Sequence, residues 1–255
     1  MPSTIARSSS SKVARTASTP RMPMSSTPHC SISSARTQRA RRSAPSSQAV
    51  TAQHPDRRVA LAELIEHRQS GREYSAAPIG RAALERIVHC AQGRSRSGKR
   101  NAPSAHGLYP LRLFAIVHRL QGSAQGLYAL DMPDALLGAW RKAIAPEALR
   151  ATSLADDAWL EHAAVVLVVA ADYEAANAHF FDQQPDGRRG ERYVHIEAGA
   201  VLQNMHLATL AEGLGGVIVA GFDARRLADL LALPAPLQPV ALFCVGARAE
   251  ASAGR

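Results

Sequence analysis

The stretch Glu191 to Asp223, "ERYVHIEAGAVLQNMHLATLAEGLGGVIVAGFD", decides the fold class. Its first two thirds predict one long helix, Glu191 to about Glu212. Ile196, Ala200, Val201, Met205, Ala208 and Leu210 are spread around that helix too broadly for a single surface stripe, as in a helix buried centrally or at a subunit interface. "GLGG", Gly213 to Gly216, follows a helix and opens a strand. A dinucleotide fingerprint needs the opposite order, strand then helix, so a Rossmann reading fails on context. Gly213 is instead the residue that ends the helix, because glycine tolerates the left-handed conformation there. "GGVIVAGF" then reads as a strand, "DARRLADLLAL" as a short helix N-capped by Asp223, and "LQPVALFCVGAR" as a last strand.

Outward from this stretch the pattern is that of one α+β domain over residues 58–249. "VALAELIEHRQS", with Leu61, Leu64 and Ile65 on one face, and "IGRAALERIVHCAQG" predict two amphipathic helices. The loop "GRSRSGKRNAPSAHG" leads to a predicted strand pair, "LYPLRLFAIVHRL" and "GLYAL". Pro133 to Leu160 is expected to be mostly helical, with Trp140 and Trp159 in packing roles. "AAVVLVVAA" has the continuous apolar character of a strand buried on both faces, and "FFDQQPDGRRG" is expected to be an unstructured polar loop. The fold expected is a mixed or antiparallel sheet flanked by helices.

The charge is unevenly placed. Of 255 residues with a net charge of +9, the first 58 hold ten Lys or Arg and one acid, so the rest of the chain is neutral overall. Residues 1–57 are rich in Ser, Thr, Pro and Arg without apolar periodicity and are expected to be disordered; 250–255 is expected to be a short tail. A nucleic-acid-binding arm or a transit peptide are the functional alternatives for the first segment, and Met22 and Met24 are alternative starts. The folded domain itself suggests no nucleic-acid partner. No run suggests a secretory signal or a membrane span, so a cytoplasmic location is expected. Cys30, Cys90 and Cys244 are odd in number and far apart, which suggests neither disulfides nor zinc; Cys90 and Cys244 are expected to be buried. The histidines show no metal-ligand spacing, and no metal is expected.

Two short motifs carry chemistry. In "HRQSGREY", Arg68, Ser70 and Arg72 alternate where the first helix ends. They are either a solvated helix end facing the negative end of its dipole, or a phosphate grip of guanidinium forks and a hydroxyl. In "APSAHGLYP", the small residues around Pro103, Ser104, Ala105 and His106 allow close backbone approach to a flat ligand, although ordinary loops are also built this way.

The order R-x-S-x-R, R-x-x-P-S-A, E-A-G-x-x-x-Q-N, G-L-G-x-x-x-x-x-G-F-D and V-G-x-R resembles the nitroreductase family of FMN enzymes over roughly Leu61 to Arg248. Within it, "RY" followed by "EAG" and "QN" (Arg192, Tyr193, Glu197, Ala198, Gly199, Gln203, Asn204) is similar to the azoline-oxidase, SagB/ThcOx, branch. The resemblance implies a homodimer joined through the long helix, with FMN at the interface. It implies that Arg68, Ser70, Arg72 and Arg248 hold the FMN phosphate, that Pro103, Ser104, Ala105 and His106 lie beside the ring, and that Ala220 and Gly221 face its N5, with Asn204 in the cofactor-binding helix motif. Arg100 is either a charge near the ring's N1 and O2 or a surface arginine. Gln69, His106, Ala200 and Ala247 depart from the family pattern. Two reactions fit: hydride from NAD(P)H passed to nitroaromatics or quinones, or oxidation of a thiazoline or oxazoline peptide with Tyr193 or Arg192 as base. Those two residues equally suit a loop-to-helix anchor. A non-catalytic flavin- or peptide-binding protein is the third reading.

Overall fold

The computed structural model describes residues 61–132 and 136–249; the expectations for 1–57 and 250–255 lie outside them. Two helices open the described chain, α1 (Leu61–Glu66) and α2 (Arg81–Gln92). The antiparallel strands β1 (Leu111–Val117), β2 (Gly126–Asp131) and β3 (Leu136–Arg141) follow. After short helices α3 (Pro146–Arg150) and α4 (Trp159–His162) come β4 (Val165–Ala171) and α5 (Tyr173–His179). The long helix α6 (Arg189–Ala211), β5 (Gly215–Val219), α7 (Ala224–Leu231) and β6 (Gln238–Gly246) complete it. The six strands form one antiparallel sheet in the order β3-β2-β1-β4-β6-β5.

The centre of that sheet explains the apolar run in the sequence. All seven residues of β4 are buried, since both sheet faces are covered. Val165, Leu167 and Val169 face a cluster built with α2 and α6, where Leu84, Ile87, Val201 and Met205 are buried. Val166, Val168 and Ala170 face the other cluster, with Leu149, Leu160 and Leu227 from α3, α4 and α7. Each buried Val, Leu, Ile or Met side chain among these stabilises the fold by roughly 1.5–3 kcal/mol.

Both ends of the decisive stretch take the predicted geometry. Gly213 has φ 72° and donates to Leu210 O at 2.9 Å, while Leu214 donates to Thr209 O at 3.0 Å, the paired bonds of a Schellman motif. Asp223 caps α7, its carboxylate accepting from Arg226 N at 3.0 Å.

Three expectations are corrected. Leu136–Arg141, expected within a helical segment, is an edge strand paired to β2, so sheet pairing overrides an apolar spacing that also suits a helix. The polar loop after β4 is preceded by α5, N-capped by Asp172, and contains a 3-10 turn at Phe181–Gln183; α6 begins two residues earlier than the apolar pattern indicates. Cys244 is buried but Cys90 is exposed, because Ile87, Val88 and Ala91 form the inward face of α2.

Candidate functional site

The motif after α1 is held against the β5 end of the sheet. Gly71 N donates to Gly216 O at 2.9 Å, Tyr74 pairs with Arg248 in an antiparallel bridge, and Ser75 N donates to Ala247 O at 2.9 Å. A Cβ is crowded here: on Gly71 it would stand 3.2 Å from Gly215 Cα, and on Gly246 only 2.6 Å from the Tyr74 ring. From α6, His206 Nε2 donates to Gln69 O at 3.0 Å. Burial lowers the His206 pKa, opposed by the hydrogen bond to Gln69 and aided by the charge of Arg68.

This corner brings Arg68, Ser70 and Arg248 together, all exposed, with Arg248 Nε donating to Leu214 O at 3.2 Å. Arg72 is not among them. Its guanidinium lies 5.1 Å over the ring of Trp159, a cation–π contact. Ala220 and Gly221 lie at the opposite end of β5, both exposed, with open space where a Gly221 Cβ would project.

A second group gathers around the first half of α6. Arg100 Nη1 donates to Gln92 Oε1 at 2.8 Å, and Gln92 Nε2 donates to Glu197 Oε1 at 3.1 Å. Glu197 is only 2% exposed. Burial raises its pKa, opposed by hydrogen bonds from Ser104 and Gln92 and by the charge of Arg100. Ser104 Oγ also accepts from Tyr109 N at 2.8 Å, and Tyr109 stacks 4.7 Å below the Arg100 guanidinium. These ties hold Tyr109 at φ 51° and His106 at φ 52°, conformations that non-glycine residues adopt only when their surroundings fix them. The loop borders a cleft of about 620 Å³ lined by Lys99, Arg100, Pro103, Ser104, His106 and Tyr109 among others.

The ring of Phe180 joins His106 to Tyr193, at centroid distances of 5.0 and 4.5 Å. His106 Nδ1 and His179 Nε2 share a hydrogen bond of 3.1 Å. The Tyr193 hydroxyl donates to Gln183 Oε1 at 2.9 Å. Arg192 points away, into an open groove with Arg188, Glu191 and His195. Ala105 lines a tight crevice with Phe180 and Tyr193. Asn204 lines a separate, mostly apolar groove between α1, α2 and α6, with Leu61, Leu64 and Leu207.

The predicted residues therefore form distinct groups within one chain. Sequence reasoning gave no role to Gln92, Tyr109 and His206, and noted Glu197 only as part of a motif. The signal for Glu197 was available: a carboxyl at helical spacing between Val194 and Val201, on the inward face of α6. Gln92 and Tyr109 carry no such signal, since only the packing of α2 against α6 brings them to Glu197. Among the described residues no group of three or more His, Cys, Asp or Glu is placed to hold a metal, and no helix is long and apolar enough to cross a membrane.

Comparison with known proteins gives a consistent result. The family model described as Nitroreductase family matches residues 65–247. A protein of Methanocaldococcus jannaschii that carries a nitroreductase name is 30% identical over 194 residues, covering 75% of this chain and 93% of that one. A crystal structure from Ralstonia eutropha JMP134, also named as a nitroreductase, superposes with TM-score 0.61 at 24% identity, over 78% of this chain and 89% of the other. A chain of the E. coli microcin synthetase McbBCD complex, solved with truncated pro-MccB17 bound, gives TM-score 0.59 at 20% identity, over 72% and 70%.

Proposed function

Because the chain belongs to the nitroreductase family, we propose that it is an FMN-dependent oxidoreductase that passes hydride equivalents from NAD(P)H to a nitroaromatic or quinone-like acceptor. The observation that carries this reading is β5 itself. Two exposed guanidinium groups and a hydroxyl sit at its Gly216 end, and an open small-residue turn sits at its Ala220 end, about 13 Å away at ordinary strand rise. An elongated ligand with a phosphate tail and a flat head fits that arrangement. Arg68, Ser70 and Arg248 would hold the phosphate by charge-assisted hydrogen bonds. The Ala220–Gly221 backbone, bare of large side chains, would let the ring approach closely. FMN supplies the redox chemistry when bound, accepting hydride at N5 and passing electrons on in a ping-pong cycle.

The working unit in this proposal is a homodimer. Glu197 and His206 mark the two groups on α6, nine residues or about 13.5 Å apart along the helix. In that dimer the Ser104–His106 loop and the Arg68 corner that face one flavin would come from different copies, as the family resemblance implies. The exposed stripe of Arg192, Ile196, Gly199 and Gln203 on α6, with open space at Gly199, is the surface through which that copy would pack.

A second reading, oxidation of a thiazoline or oxazoline in a peptide, is supported by the likeness to the McbBCD chain. There the Tyr193 hydroxyl or Arg192 would act as base. In that case Tyr193→Phe should stop peptide oxidation while flavin content stays unchanged.

Purified protein should carry a flavin absorption band that bleaches anaerobically with NAD(P)H. A band that persists with both donors but bleaches with a thiazoline peptide would transfer the assignment to the second reading. Combined Arg68→Ala and Arg248→Ala should abolish flavin binding while far-UV circular dichroism stays native; unchanged flavin content would remove the phosphate assignment.

A further inference from the structure

His106 and His179 lie 73 residues apart in the chain, yet the Nδ1 of one and the Nε2 of the other share a hydrogen bond of 3.1 Å. Their rings meet edge to face, at 78°. Among the described residues neither imidazole takes part in an ion pair or in a second side-chain hydrogen bond. Both are exposed, and both flank the buried ring of Phe180, at centroid distances of 5.0 and 4.6 Å.

The backbone holds each ring in place. His106 and Gly107 have φ 52° and 68°, in a turn closed by Gly107 N donating to Ser104 O at 3.0 Å and Leu108 N donating to Ala105 O at 3.1 Å. His179 ends α5, and Asn177 ties that helix to α6: its amide donates to Glu191 Oε1 at 3.3 Å and accepts from Glu191 N at 3.1 Å. Gly190 adds to the fit, since the Ala176 backbone leaves no room for a Cβ there.

Only one of the two rings borders the 620 Å³ cleft. His106 lines it with Lys99, Arg100, Ser104 and Tyr109 among others, and His179 stands behind. The groups around the pair are the cleft cations Lys99 and Arg100, the phenol of Tyr109, and that of Tyr193 across Phe180. No carboxylate among the described residues bonds to either ring. An imidazole that faces a cleft with one nitrogen and is oriented through the other is the arrangement of a positioned proton donor.

Resting on the reading that hydride reaches a quinone-like acceptor beside the Pro103–His106 loop, we propose that His106 is the general acid that supplies the accompanying proton. His179 is the residue that positions it and replaces the proton it gives. A quinone that gains hydride becomes a hydroquinone anion, which one proton completes. In the singly protonated pair, the hydrogen on His106 Nε2 passes to that oxygen while the hydrogen on His179 Nε2 crosses to His106 Nδ1. Both rings are then neutral, and solvent returns one proton to His106 Nε2 after the product leaves. Over the cycle NAD(P)H, a proton and a quinone give NAD(P)+ and a hydroquinone.

The test compares two acceptors in the full-length, FMN-loaded protein: menadione, whose reduction consumes a proton, and ferricyanide, which takes up electrons alone. His106→Gln should lower the ratio of menadione to ferricyanide turnover about a hundredfold, and His179→Gln about tenfold. An unchanged ratio in His106→Gln overturns the proposal. So do rates that fall equally with both acceptors, because a merely structural role of the loop would affect both. Proton NMR of the protein before FMN is added gives a readout independent of turnover. A downfield imidazole resonance from the shared hydrogen is expected in the wild type and should vanish in each variant; a wild type without it removes the pair. Dithionite-reduced protein mixed with menadione separates this from the broader reading. A ratio effect present only with dithionite leaves His106 as the acid and removes NAD(P)H as the donor. A protein that takes up no FMN removes the reductase reading and the acid role together.

Discussion

Glu197 shows what a single residue carries. A carboxyl 2% exposed inside an apolar helix face would be strongly unfavourable if ionised without partners, and the network of Gln92, Ser104 and Arg100 is what makes it tolerable. Burial remains the larger influence and raises its pKa above the ordinary carboxylate value. The native state therefore holds the proton more tightly than the unfolded chain. This contribution to stability is fully present below the unfolded pKa and is lost as pH rises through the raised native one. Glu197→Gln keeps the acceptor for Gln92 and has no proton to lose. Relative to wild type it should gain stability as pH is raised from about 4 towards neutrality, read as the difference in urea midpoints at a series of pH values. A difference that does not change with pH would show that folding leaves the Glu197 pKa unshifted.

At the scale of elements, α6 and β5 depend on the junction between them. The Schellman bonds at Gly213 end the helix, and the chain enters β5 two residues later, so that Gly216 is positioned to accept from Gly71. That bond also covers part of the otherwise open β5 edge. Gly213→Ala places a Cβ in the left-handed region and should destabilise the protein by about 1–2 kcal/mol. The N-cap of α7 is a simpler case. Asp223→Ala removes the acceptor for Arg226 N and should lower stability by about 1 kcal/mol. Both are read from chemical denaturation; a loss much below half these values would mean that tertiary packing alone sets the two helix ends.

For the whole molecule, the proposed dimer is the decisive quantity. Ile196 is 61% exposed on a helix that is otherwise largely enclosed, and α1 leaves Leu61 and Ile65 at 63% and 53% exposed. Ile196→Glu touches nothing buried in the single chain, so the monomer should stay folded within about 0.5 kcal/mol. It should shift the mass measured by light scattering from dimer to monomer and reduce flavin content at the same time. A dimer that survives the substitution would place the interface elsewhere.

The sequence by itself determined the local pieces, because their causes are local. The apolar run of β4, the helix-then-strand order around Gly213, the cap at Asp223 and the motif order resembling the nitroreductase family were all legible as spacing and residue type. What only the tertiary structure decided is which pieces meet. Leu136–Arg141 became a strand because β2 offered a hydrogen-bonding edge, and Cys90 proved exposed because α2 turned its other face inward. Arg72 alternates with Arg68 and Ser70 in the sequence, yet its guanidinium lies over Trp159, brought there by α4 on the opposite sheet face. Gln92 reaches Glu197 across 105 residues of chain, and His206 reaches Gln69 across 137. Such pairings are set by how helices and strands pack, and no spacing along the chain encodes them.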